Sequence, residues 1–246
     1  MAFQLTKSFS QEVELMDISN KRWVDLTLPC EEHWRYSFKM ERTMRHEDGG
    51  PWQESKYNMG THWFTHIDWP RHHVEWGGDS EAYPLEDWAI SKCLVLDLTH
   101  IPDNGAITAD ILEEANQPFA DQHFDMLFLR TDRGKYVDWK STDFWDNAQY
   151  VTKDGGEWIK EYGPKVVGFD FPQDYDLRNM RHAKDMHEIK EPVHDIVLAE
   201  GGILMIEYLN YLWEIGTPVC DIIALPIRLP NIDGAQIRVI ALVDKD

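Results

Sequence analysis

The stretch His62-Trp63-Phe64-Thr65-His66-Ile67-Asp68-Trp69-Pro70-Arg71-His72 carries three imidazoles and one carboxylate within eleven residues. His66, Asp68 and His72 follow His62 by four, six and ten positions, so every spacing is even. Side chains two apart on an extended strand share a face, so His62, His66 and Asp68 are expected to project to one side. Thr65 and Ile67 are β-branched, Trp63 and Phe64 are aromatic, and Pro70 ends the run, all of which favour a strand. A helix would also bring His62 and His66 together, as in zinc proteases, but that motif needs a Glu after the first His, and Trp63 stands there. Two neutral imidazoles and a carboxylate make a divalent-metal ligand set with positions open for water and substrate. His72 lies two residues past Pro70, where the chain is expected to turn. It can stand near an ion without binding it, the place for a proton donor or base. The competing explanation is chance clustering of 11 histidines, of which His72-His73 is partly an example. The regular spacing with Asp68 weighs against it.

Composition narrows the setting. The formal charge of -20, from 44 acidic against 24 basic residues, repels phosphate backbones and disfavours nucleic acid or anionic membrane as a partner. No uncharged apolar stretch approaches the ~20 residues that span a bilayer, and the charged first thirty residues do not read as a signal peptide. Cys30, Cys93 and Cys220 are odd in number and far apart, as expected of free thiols in a reducing, cytoplasmic protein. Among the 11 tryptophans, Trp52, Trp63, Trp69 and Trp76 flank the histidine stretch. They would suit a flat aromatic small molecule, or pack a core or an oligomer interface. With no internal repeat, residues 1–246 are expected to form one domain, assembled as a homodimer or homotetramer.

The elements that must position the stretch can be read in order. Residues 1 to 20 suggest a polar, partly helical arm, and Trp23–Leu28 a short strand ended by Pro29. Cys30 to Asn58 reads as hairpin strands and a loop with a Gly49-Gly50-Pro51 breaker. Cys93–Leu98, Met126–Thr131 and Val166–Asp170 are apolar runs of the kind buried on both faces of a sheet. Between them lie a helix over Ala109 to Asn116 capped by Thr108, an acidic loop from Asp132 to Ala148, and a helix near Gly156 to Tyr162. This alternation predicts an α/β domain with part of its mixed sheet parallel. Gln173 to Ile189 reads as a surface loop, and Pro192 can open a helix through Ala199. Ile203–Leu209 is a buried strand whose odd member is Glu207: a bare carboxylate there must be paired, protonated or metal-bound. Arg228 or Arg238 is the alternative partner to a metal. Ile222 to Leu225 and Gln236 to Val243, after an Asp233-Gly234 turn, close the sheet.

The stretch resembles the signature His-x-Gly-Thr-His-x-Asp-x-Pro-x-His of the metal-dependent cyclase/hydrolase family that includes bacterial kynurenine formamidase, isatin hydrolase and trans-dienelactone hydrolase. His62, Thr65, His66, Asp68, Pro70 and His72 match it, and Phe64 departs from it at the glycine. Asp97-Leu98-Thr99, Arg130-Thr131-Asp132 and Val166–Asp170 are similar to further family segments. The resemblance implies a swivelling β/β/α fold, and a second metal site completed by His194 and Glu207. On that basis His62, His66 and Asp68 hold one Zn2+ or Mn2+ ion, with Asp68 able to bridge to a second held by His194 and Glu207. Water activated at the metal would cleave an amide, formamide, lactone or cyclic amide, with His72 moving the proton. The alternatives are a single-metal, isatin-hydrolase-like ring opener and a metal-holding binding protein without turnover, which Phe64 in place of glycine leaves open.

Overall fold

Runs without polar alternation form strands here because both faces of the sheet are covered. On one face Cys93, Val95, Met126, Phe128, Val166, Leu204 and Ile206 pack with Ile67, Ile222 and Val239. On the other, Leu94, Leu96, Leu127, Leu129, Val167, Phe169 and Met205 pack against Leu112, Ile159 and Val197 of the covering helices. Each such side chain contributes about 1.5–3 kcal/mol when fully buried, so a charge in the middle of these strands is selected against unless something neutralises it.

The computed structural model describes residues 18–245; the arm expected over residues 1 to 20 lies outside them but for its last turn. In chain order the strands are β1 (Lys21–Asp25), β2 (Met40–Met44), β3 (Glu54–Tyr57), β4 (His66–Asp68), β5 (Ile90–Asp97), β6 (Ala106–Ile107), β7 (Met126–Arg130), β8 (Tyr150–Val151), β9 (Val166–Phe169), β10 (Leu204–Glu207), β11 (Val219–Pro226) and β12 (Gly234–Asp244). The main sheet runs β1-β12-β11-β5-β7-β9-β10-β4, and β12 pairs with β4 as well. That extra pairing closes the sheet into a mixed, barrel-like ring, with β1 added beside β12. The β5-β7, β7-β9 and β9-β10 pairs are parallel, while β4 is antiparallel to both β10 and β12. The molecule is therefore α/β with a mixed sheet. The β2-β3 hairpin and the short parallel β6-β8 pair stand apart from the ring.

Helix Ala109–Asn116 begins where Thr108 accepts the Ile111 N–H, at the bounds the sequence predicts. The next helix, Lys153–Tyr162, starts earlier than Gly156 because Thr152 accepts the Gly155 N–H and caps it. A Cβ at Gly155 would lie 2.6 Å from the Ile107 carbonyl oxygen, so glycine lets this helix press on β6. The acidic loop contains two helical turns, Arg133–Tyr136 and Asp143–Asp146. The segment opened by Pro192 is wound as a π-helix over His194–Glu200, a form that recurs at functional sites. β1 ends at Asp25 rather than Leu28, and β10 ends at Glu207 because Tyr208 turns to φ 55.

The largest difference concerns the histidine stretch. Only His66–Asp68 is strand; Phe64 sits in the left-handed region at φ 58, so the chain from Thr61 to Thr65 turns instead of extending. Strand alternation therefore explains His66 and Asp68 but not His62. No helix among the described residues is long and apolar enough to cross a membrane.

Candidate metal centre

Alternation on β4 turns Ile67 into the ring and turns His66 and Asp68 to the opposite face. The β4-β10 register sets Glu207 directly across from His66, and cross-strand partners share a face. His194, the first residue of the π-helix, comes down over the same spot. His66, Asp68, His194 and Glu207 are all buried, at 0%, 0%, 2% and 4% exposure. The fold thus gathers groups from sequence segments more than a hundred residues apart.

Asp68 is the hub. Its Oδ1 lies 2.7 Å from His62 Nδ1 and 3.2 Å from His66 Nε2, while its Oδ2 lies 3.5 Å from His194 Nε2. Glu207 Oε1 is 3.1 Å from His194 Nε2, and Oε2 is 3.5 Å from His66 Nε2. Ligand atoms about 2.1 Å from a common ion stand roughly 3.0–3.4 Å apart, close to these separations. His62, His66 and Asp68 form one ligand-spaced group, and Asp68, His194 and Glu207 form another.

The outer nitrogens of His66 and His194 fix how these rings are turned. His66 Nδ1 donates to the Phe64 carbonyl at 2.8 Å, which fixes the proton there and leaves the Nε2 lone pair facing the carboxylates. His194 Nδ1 lies 2.7 Å from Asp174 Oδ2, and Asp174 is itself held by the Val193 N–H at 2.8 Å. Such outer partners set tautomer and ring plane at metal centres. Gln173 donates its side-chain amide to Glu207. Inside this cage His66 Nε2 and Asp68 Oδ2 are buried without a hydrogen-bond partner. Buried polar atoms are ordinarily satisfied, and a cation between them would satisfy both. The donor set and these two orphaned atoms fit a divalent ion.

Electrostatics agree. Burial alone would raise the Asp68 carboxyl, but His66, His62 and His194 hold it well below the usual range. Against the same burial penalty, His194 holds Glu207 at about 2. The centre therefore presents ionised carboxylates in a place that would otherwise exclude them. Neither candidate arginine reaches Glu207: Arg238 pairs with Asp25 at 2.9 Å, and Arg228 lines a groove with Trp69 and Tyr83.

His72 lies on the turn Pro70–His72, as its place after Pro70 suggests. Its ring stacks on His62 at 3.8 Å and stands 5.6 Å from His194. Burial lowers its pKa to about 4, so it is neutral and able to take a proton.

Four contributors escaped the sequence reading. Asp233 Oδ2 is 2.6 Å from His62 Nε2; the sequence marked Asp233-Gly234 only as a turn. His73 stacks on His194 at 4.7 Å and lies 3.2 Å from Asp195; its adjacency to His72 was the available signal. Asp174 and Gln173 gave no local signal, since only the fold brings them to His194 and Glu207. The tryptophans do not ring the centre: Trp69 is packed inside the ring, and Trp52 and Trp76 are exposed. Trp63 alone joins Tyr36, Phe38, Phe64, Trp145 and Tyr208 in an aromatic cluster, which meets the centre where Tyr208 lies 5.5 Å from His66.

Residues 24–174 match the family model named Cyclase. The chain is 26% identical over 204 residues to a kynurenine formamidase of Erythrobacter litoralis, covering 82% of this chain and 83% of that protein. Among solved structures it resembles isatin hydrolase A of Labrenzia aggregata bound to benzyl benzoate, at a TM-score of 0.74 and 20% identity, covering 94% of this chain and 96% of that one. It also resembles a structure described as a potential metal-dependent hydrolase with cyclase activity, at a TM-score of 0.64 and 23% identity, covering 92% and 99% of the two chains.

Proposed function

The chain belongs to the Cyclase family, and from that premise we propose that it is a metal-dependent hydrolase that cleaves an amide, formamide, lactone or cyclic amide of a small molecule. The observation that carries the reading is the pair of unpartnered buried atoms, His66 Nε2 and Asp68 Oδ2, inside a cage of ligand-spaced His, Asp and Glu. His62, His66, Asp68, His194 and Glu207 would hold the metal, Zn2+ or Mn2+, as two ions per chain on this reading. When bound, such ions polarise a carbonyl and lower the pKa of water from about 15.7 toward ~7.

The chain's own residues supply the rest. Neutral His72 takes the proton from the attacking water. It then gives that proton to the departing nitrogen or oxygen as the carbon–nitrogen or carbon–oxygen bond breaks, leaving an acid and an amine or alcohol. His66 and His194 each rest their outer nitrogen on an oxygen, of Phe64 and Asp174 respectively, so the inner nitrogen faces the carboxylates. The names of the similar proteins, a kynurenine formamidase and an isatin hydrolase, support a flat aromatic amide as substrate. The proposal extends to one swivelling β/β/α domain over residues 1–246, a homodimer or homotetramer, and a cytoplasmic setting in keeping with three free cysteines.

The test is turnover of simple aryl formamides and lactones. Chelation should abolish it, and added Zn2+ or Mn2+ should restore it. His66→Ala should lose metal and turnover together, whereas His72→Ala should keep the metal and lose roughly 10²–10⁴ in rate. Hydrolysis that survives metal removal would overturn the reading.

A further inference from the structure

His62 precedes the strand, so nothing in the pleat of β4 aims its ring; its orientation must come from elsewhere. The turn at Ile232–Gly234 supplies it. Asp233 Oδ2 lies 2.6 Å from His62 Nε2, and the Thr61 hydroxyl donates to the same oxygen at 3.4 Å. The Asp233 carbonyl accepts the Trp69 N–H at 2.9 Å, and Gly234 is the register partner of Asp68. The turn is thereby locked to the strand that carries Asp68. Gly234 completes the seat: a Cβ there would fall 2.5 Å from His62 Cε1, so only glycine leaves room for the ring. His62 is left with Nε2 on Asp233 and Nδ1 toward Asp68 Oδ1 at 2.7 Å.

We propose that Asp233 is a positioning residue for the metal centre: it takes the Nε2 proton of His62 as a hydrogen bond and so presents the Nδ1 lone pair to the ion beside Asp68. The proposal rests on the hydrolase reading above. The stacking of His72 on His62 carries the effect outward, because fixing the His62 plane also fixes the ring proposed to move the proton. A carboxylate behind a ligating imidazole sharpens its basicity and direction, and its loss typically weakens metal binding by ~10–100-fold.

The experiment titrates the metal-free full chain with Zn2+ alone, in the wild type, Asp233→Ala, Asp233→Asn and the ligand control His66→Ala, and melts each metal-free chain. Asp233→Ala should bind Zn2+ about 10–100-fold more weakly. Asp233→Asn, which keeps an oxygen for the His62 N–H, should recover part of that loss. In the Zn2+-loaded wild type, the His62 side-chain nitrogen resonances should show Nε2 protonated, which a merely structural aspartate does not require. Wild-type affinity in Asp233→Ala, with or without a lower melting temperature, overturns the proposal. So does a loss of affinity that asparagine does not recover at all. A wild-type chain that takes up no Zn2+, or a His66→Ala chain that binds it normally, overturns the hydrolase reading itself and the Asp233 role with it.

Discussion

Phe64 shows how much a single backbone angle can do. At φ 58 a residue with a Cβ is strained by roughly 1–2 kcal/mol. That angle turns the Phe64 carbonyl onto His66 Nδ1 and bends His62 back over Asp68. It also accounts for the glycine in the signature this stretch resembles. Phe64 offsets the strain by burial: it is 1% exposed and sits edge-on to Tyr36 and Phe38 at 5.0 and 5.5 Å. Two substitutions separate backbone from side chain. Phe64→Ala should cost about 3–5 kcal/mol of stability, the usual loss for a buried Phe. Phe64→Gly should be the more stable of the two by about 1 kcal/mol, reversing the ordinary order, because glycine tolerates the left-handed angle. Urea denaturation of both variants decides it, and Ala at least as stable as Gly would mean the angle is not enforced.

Among the elements, the strand ends do the positioning. β7 and β9 end side by side, and the two motifs noted in the sequence there, Arg130-Thr131-Asp132 and Val166–Asp170, turn out to be halves of one contact. Asp170 Oδ1 accepts the Thr131 N–H and hydroxyl at 2.8 Å each, and its Oδ2 accepts the Asp132 N–H at 2.8 Å. Three donors on one carboxylate hold Asp132 at φ 59, and Asp170 is followed closely by Gln173 and Asp174, which serve the centre. Asp170→Asn has a single oxygen, so one buried N–H loses its acceptor and faces an NH2 group. We expect a loss of about 1–3 kcal/mol in chemical denaturation. An unchanged midpoint would mean that these donors find other partners.

At the scale of the molecule, the centre joins the paired strands β4 and β10 to two segments outside the ring, the turn before β4 and the π-helix. An ion held there binds the folded chain and not the unfolded one, so it should stabilise the whole. At Zn2+ near 1,000 times its Kd the gain is about 4 kcal/mol, or a rise in Tm of roughly 8–16 °C for a chain of this size. Glu207→Gln then counts the ions. With two per chain, bound metal should fall by about half and turnover should collapse. With one, held by His62, His66 and Asp68, metal content should stay the same, which would retire the second ion.

Read alone, the sequence determined what local chemistry can determine. Strands β5, β7 and β9 were legible from the apolar runs at their buried centres, because burial on both faces disfavours polar residues there. Helix Ala109–Asn116 was legible from its Thr108 cap, and His66 and Asp68 from a two-residue period that survives in β4. Glu207 announced itself as a charge where none belongs. The tertiary structure decided everything that depends on non-local approach. A positive φ at Phe64 leaves no trace in residue type when the residue is not glycine, so His62 was assigned to a strand it does not join. The closure of β12 onto β4 sets Gly234 against the His62 ring, and no periodicity within either strand encodes that pairing. Asp174 reaches His194, and Asp233 reaches His62, across chain separations that only the packed ring shortens. Spacing therefore identified which groups could hold an ion, and the fold alone decided which carboxylates stand behind them.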